Sequence, residues 1–242
     1  METWKEAFWL AKFELKKSLV NLFFGWLALS LFGTLFLMNF NSYFEPDNKY
    51  FGYDFIFLYL FGFGPSMVRA KLFQYQQVNG QLWTSPTLVM QLQLPIPKKS
   101  LVKSRLITYC AYLFPFIVTV FTILYLFDSE LSAAISAQSY LAFVFIWLAY
   151  SFVFGMIMPA SDVGDYITTK IMICYSLAML IAVGILFYFF YQFLGYGIVS
   201  WTVMLAQNWP VQSIFIAIIL IILSWKFWPA YMKKTMQKLD YM

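Results

Sequence analysis

The sequence predicts an all-α integral membrane protein, and three observations carry that prediction. Five apolar stretches hold no charged residue, at 18–44, 55–68, 106–127, 131–161 and 171–225. All but the second reach the roughly 20 residues that a helix needs to cross a bilayer. The chain is 62% hydrophobic and 11% charged, with a mean hydropathy of +0.72; a soluble domain carries about 25% charged residues. Finally, the basic residues sort to one side. Six helices threaded through the runs, with both termini in the cytoplasm, put the clusters Lys5 to Lys17, Arg69 and Lys71, Lys98 to Arg105, Lys170 and Lys226 to Lys238 inside. Only Lys49 is left outside. Lys and Arg are retained on the inner side, so this one bias sets the orientation as well as the span count.

The elements follow in order. Residues 1–18 predict an interfacial elbow helix. Trp4, Phe8, Ala11, Leu15 and Leu19 recur at helical spacing, and Lys5, Lys12 and Lys16 form a neighbouring stripe able to snorkel toward lipid phosphates. Charge persists to Lys17 and the apolar run behind it is long, so a retained span is expected rather than a cleaved leader. Spans one and two are placed at 19–40 and 51–68. The second carries Gly62, Gly64 and Pro65, which predict a kink or a close helix contact. Span three, at 106–127, contains Pro115, and span four, at 140–159, ends on Pro159. The outer loops are short.

The run 171–225 poses a length problem. As one helix it would extend about 80 Å, more than two spans, yet a third crossing would carry Lys233, Lys234 and Lys238 outside. Spans five and six therefore flank an extra segment at 195–208, expected to re-enter the outer leaflet without crossing. Trp225, Trp228 and Tyr231 suit an inner aromatic belt, and Tyr43, Tyr50, Tyr53 and Trp209 an outer one. The basic balance reflects this orientation, and nucleic acid is not needed to explain it. Histidine is absent, which removes the commonest general base and metal ligand. Cys110 and Cys174 read as free thiols in a reducing compartment.

The longest inner loop, 69–105, is organised. A turn at Gly80 leads into Gln81, Leu82, Trp83, Thr84, Ser85, Pro86, Thr87 and Leu88, a stretch of helical potential continuing to Gln91. Leu94, Pro95, Ile96 and Pro97 then break the chain, and Leu101, Val102, Lys103, Ser104 and Arg105 open span three. This loop resembles that of the permeases of the ABC-2 exporter family. There a coupling helix between spans two and three is followed by a Leu-Pro-hydrophobic signature and an aliphatic-Val-x-small-basic opening. Pro97 stands where the family often has Ser, and Gln74, Gln76 and Gln77 replace a Glu-rich stretch. The elbow, six spans, inner termini and extra outer segment are similar too.

The resemblance implies a transmembrane subunit in a bacterial cell membrane. It would pair with a second copy or a sister permease and with two cytoplasmic ABC ATPase subunits that bind ATP and Mg. No Gly is followed by Lys, so no phosphate-cradling P-loop is expected here, nor any cofactor, metal or catalytic residue of the chain's own. The resemblance also makes 81–91 the coupling helix. Trp83 is then its anchor, unless it is an ordinary belt residue.

Further candidates carry weaker signals. Asp162 and Asp165 precede span five, where helix capping is favoured over a metal or catalytic pair. Glu45, Asp47, Asp54, Asp128 and Glu130 fall outside and could form an acidic mouth; Asp54, inside a span, is either functional or solvated at its edge. Phe32, Phe36, Phe55 and Tyr59 are candidates for an aromatic path suited to an amphipathic cargo such as a peptide, a lipid or a hydrophobic drug. The alternatives are a membrane-embedded lipid-modifying enzyme and a passive channel or assembly factor.

Overall fold

The computed structural model describes residues 2–37, 51–127 and 135–239, apart from the side chains at 26, 29–37 and 127. It is built mainly from helices, and among the described residues four are long and apolar enough to cross a membrane: Lys98–Leu126, Ala137–Ser161, Thr169–Leu194 and Pro210–Lys238.

Helix α1, Glu2–Leu37, is continuous. The boundary expected at residue 18 between an elbow and a first span is absent, because no proline or glycine stands there to break the turn. The face packed on protein lies beside the expected apolar stripe. Trp4, Phe8 and Leu19 are exposed, while Ala7, Leu10, Ala11, Glu14 and Ser18 are buried. That face packs on α4, Lys98–Phe127, where Ser100 and Ser104 are buried. Small side chains on both helices let the backbones approach closely. Lys103 holds the seam, with its Nζ 3.2 Å from Thr3 Oγ1 and 4.2 Å from the centre of the Trp4 ring.

Helix α2, Gly52–Met67, contributes Phe57 and Phe61 to an aromatic core completed by Phe116 and Phe121 of α4 and Trp147 of α5, Ala137–Tyr150. The glycines of α2 mark close contact, as expected: a Cβ at Gly64 would lie 3.3 Å from the Phe116 ring, and one at Gly62 would lie 3.4 Å from the Tyr150 hydroxyl.

Helix α5 runs on through a π turn, Ser151–Gly155, into a short α6, Ile157–Ser161. A π turn releases carbonyls from the helical ladder, and side chains of neighbouring helices satisfy them here. Tyr109 Oη donates to the Ser151 carbonyl at 2.6 Å, and Trp228 Nε1 donates to that of Val153 at 3.2 Å.

The last helices are α7, Thr169–Tyr188, which passes into a second π turn, Phe189–Leu194; α8, Ile198–Asn208; and α9, Pro210–Lys238. Pro210 opens α9 at its first turn, where a missing N–H costs nothing. The expected extra segment is therefore a separate helix, with Val199, Thr202, Val203 and Ala206 buried. Contacts between helices set their relative directions. Tyr150 Oη donates to the Leu58 carbonyl at 3.2 Å and Gly155 lies beside Gly62, so α2 and α5 run parallel. Lys98 Nζ, at the start of α4, donates to the Met236 carbonyl near the end of α9 at 2.8 Å, so these two run antiparallel. They bring Glu14, Arg69, Arg105, Asp162 and the end of α9 to one end of the bundle and Asp54 to the other.

Candidate functional site

At the basic end, two loops distant in sequence form one platform. Strands β1, Gln76–Asn79, and β2, Leu82–Thr84, make a hairpin whose turn is Gly80, at φ +52°. A side chain there would be strained, which accounts for the glycine. The other edge of β2 pairs with β3, Asp165–Tyr166, from the loop after α6: Leu82 lies opposite Tyr166, and Trp83 opposite Asp165. The join is tight. Ser85 N and Thr84 Oγ1 both donate to the Asp162 carbonyl, at 3.1 and 2.7 Å, and Ile167 N donates to the Gln81 carbonyl at 2.8 Å. Helix α3, Pro86–Leu92, leaves this sheet with Leu88 fully buried beneath it.

Four charged side chains meet where the platform joins the bundle. Arg69 Nε donates to Glu14 Oε1 at 2.7 Å, Nη1 to Asp162 Oδ2 at 2.6 Å, and Nη2 to the Phe73 carbonyl at 2.8 Å. Arg105 Nη1 donates to Glu14 Oε2 at 2.9 Å and stands 3.9 Å from Asp162 Oδ2. None of the four is more than 5% exposed. Two cations and two anions cancel, as burial demands. Burial works against the Arg69 charge, but Asp162 and Glu14 more than offset it, and the guanidinium is held charged above its ordinary range. The cluster ties α1, the end of α2, α4 and the loop after α6 to one another. Removing any one member strands the rest.

The sequence-derived candidates divide on this geometry. Helix is expected over 81–91, but it begins only at Pro86, because Leu82, Trp83 and Thr84 are consumed by sheet pairing. Leu82, Thr84, Ser85 and Leu88 are buried, Pro86 and Thr87 are half-buried, and Gln81 is exposed. Trp83 is half-buried on the strand, 5.7 Å from the Tyr75 ring. The exposed apolar side chains lie further along, at Met90 on α3, 67% exposed, and at Leu94 just beyond its end, 53% exposed. Leu94, Pro95, Ile96 and Pro97 connect α3 to α4, as expected, with Ile96 packed against the core.

Neither Asp162 nor Asp165 caps α7. The Thr168 hydroxyl caps α7, accepting from Ile171 N at 3.3 Å. Asp162 is committed to Arg69, whereas Asp165 is exposed on β3. Asp54 is fully buried and so contributes nothing to an open acidic mouth. Its Oδ1 accepts from Val199 N at 2.8 Å and its Oδ2 from Tyr191 Oη at 2.7 Å, which fastens the second π turn and the first turn of α8 to α2. Glu45, Asp47, Asp128 and Glu130, the rest of that mouth, lie outside the described residues. Of the aromatic path, Phe55 and Tyr59 stack on one face of α2, with ring centres 6.4 Å apart. Phe32 and Phe36 are on α1, their side chains outside the description.

Glu14 escaped the sequence reading, and so did the role of the two arginines. The available signal was the recurrence of Ala7, Leu10, Ala11, Glu14 and Ser18 every three or four residues, which places one acid on a face of small side chains. The chain matches no protein-family model, no curated protein and no solved structure.

Proposed function

We propose that the chain is the membrane subunit of an ATP-driven exporter of the ABC-2 type, moving an amphipathic cargo out of a bacterial cell. In this reading it crosses the membrane six times, the platform and both termini are cytoplasmic, and α8 re-enters the outer leaflet between the last two spans. Two copies, or one copy and a sister permease, work with two ATPase subunits that hold ATP and Mg.

The observation that carries the reading is the platform. Its two loops are fused by a sheet, seated on a buried charge cluster, and they present a short helix with Met90 exposed on it and Leu94 exposed just beyond its end. A loop that only joined two spans would have no need of a second loop clamped to it or of buried charge beneath it. An element held this rigidly can pass a push from a motor into several helices at once, because the cluster reaches α1, α2 and α4 together. Exposed apolar side chains rimmed by Gln91 and Gln93 suit a groove on a soluble partner.

Met90→Glu with Leu94→Glu is expected to weaken association with an ABC ATPase that co-purifies with the parent chain at least about tenfold, the effect of placing two charges in an apolar contact. Co-purification and stimulated ATPase turnover report it. Both side chains are exposed, so the fold remains intact, and undiminished association would contradict the docking surface.

A further inference from the structure

A groove of ≈ 510 Å³ opens between α1 and α2 at the basic end of the bundle. That is within the size range of about 300–1,000 Å³ for small-molecule sites. Its wall is apolar, formed by Phe24 of α1 and by Tyr59, Leu60 and Met67 of α2. The Tyr59 hydroxyl is engaged within that wall, donating to Met67 Sδ at 3.2 Å. Gly25 sets the approach of the helices, since a Cβ there would lie 2.2 Å from Val68 Cγ1. One end of the groove is polar and basic, with Asn21 and Lys71. Arg69 also borders it, but each of its three nitrogens already donates to Glu14, Asp162 or Phe73. Lys71 is exposed and enters no salt bridge among the described residues. Lys17 stands one helical turn before Asn21 on the same side of α1 and is also exposed.

An apolar slot with cations at one end has the shape and charge of an amphiphile whose head is an anion. Exposed Phe23, Phe24 and Leu27 continue the apolar surface outward along α1, so the slot opens toward hydrocarbon and not toward water. The basic end is also the end that the distribution of Lys and Arg assigns to the leaflet rich in anionic lipid. We propose that this groove binds one anionic phospholipid of the inner leaflet, its phosphate between Lys71 and Asn21 and one acyl chain along Phe24, Tyr59 and Leu60. The site rests on the membrane placement and not on the transport reading, so either can fail alone.

Native mass spectrometry and thermal unfolding of the full chain in neutral detergent test the proposal, with phosphatidylglycerol and phosphatidylcholine of identical acyl chains as probes. Phosphatidylglycerol is expected to be retained and to stabilise, and phosphatidylcholine to do neither. Lys71→Glu should weaken phosphatidylglycerol binding about fivefold or more, the effect of one lysine near an anionic surface. Asn21→Trp, at an exposed position of the mouth, should displace the lipid by filling its place. Equal retention of the two lipids, or unchanged phosphatidylglycerol binding in both variants, would overturn the site. Stabilisation by soluble glycerol phosphate equal to that by the lipid would also overturn it, in favour of a small anion.

Discussion

Glu14→Ala is expected to lower the unfolding free energy of the detergent-solubilised protein by about 3–5 kcal/mol, the usual consequence of breaking a buried ion network by removing one partner. Glu14 is the member that accepts from both guanidiniums, through Oε1 from Arg69 and Oε2 from Arg105. Without it two buried cations share the single carboxylate of Asp162. Arg105 is already under-satisfied, because its Nε and Nη2 have no partner in the described structure, and it would lose its closest one. Deleting Glu14 and Arg105 together, as Glu14→Leu with Arg105→Leu, leaves the balanced pair Arg69 and Asp162. That double variant is expected to be more stable than Glu14→Ala alone, the non-additivity that marks coupled sites. Unfolding followed by near-ultraviolet signals during denaturant titration reads both. A loss below about 1 kcal/mol for Glu14→Ala would mean that the charges behave as a solvated surface pair.

The second large effect is expected at the opposite end. Asp54→Ala removes the acceptor of Val199 N and Tyr191 Oη, and hydrogen bonds to a charged group contribute about 1.5–3 kcal/mol each. The loss is local in character, because the carboxylate caps the first turn of α8 and anchors the π turn that ends α7. Hydrogen exchange should therefore quicken over 189–203 before the rest of the chain responds. Asp54→Asn keeps one acceptor oxygen for Val199 N, and its amide can donate to the Tyr191 oxygen, so it should recover most of the loss. Equal protection of α8 in Asp54→Ala and the parent would show that α8 is held by its apolar face alone.

The residues explain which parts of this architecture were legible in advance. Long helices were, because a run without charge such as 106–127 has one stable outcome in lipid, and Pro210 and Gly195 bound α8 much as expected. The fusion of the two loops was not. Strands of two to four residues, paired between Trp83 and Asp165, leave no periodic trace, and the helical potential of 81–85 is overridden once Leu82 finds a strand partner eighty-four positions away at Tyr166. The charge cluster was hidden for the same reason. Glu14, Arg69, Arg105 and Asp162 come from four separate segments, and each has an ordinary local explanation as a snorkelling, loop or capping charge. The burial of Asp54 was not legible, because hydropathy gives depth along a span but not the neighbour that a side chain meets.

The central claim is that the platform joined by β2 and β3 faces the cytoplasm at the basic end of a membrane-spanning bundle. Met90→Cys in a background with Cys110→Ser and Cys174→Ser supplies a single exposed thiol on α3. A membrane-impermeant maleimide is expected to leave it unlabelled in intact cells and to label it fully once the membrane is opened. Labelling in intact cells to the same extent would put the platform outside and contradict the orientation, the docking surface and the exporter reading together.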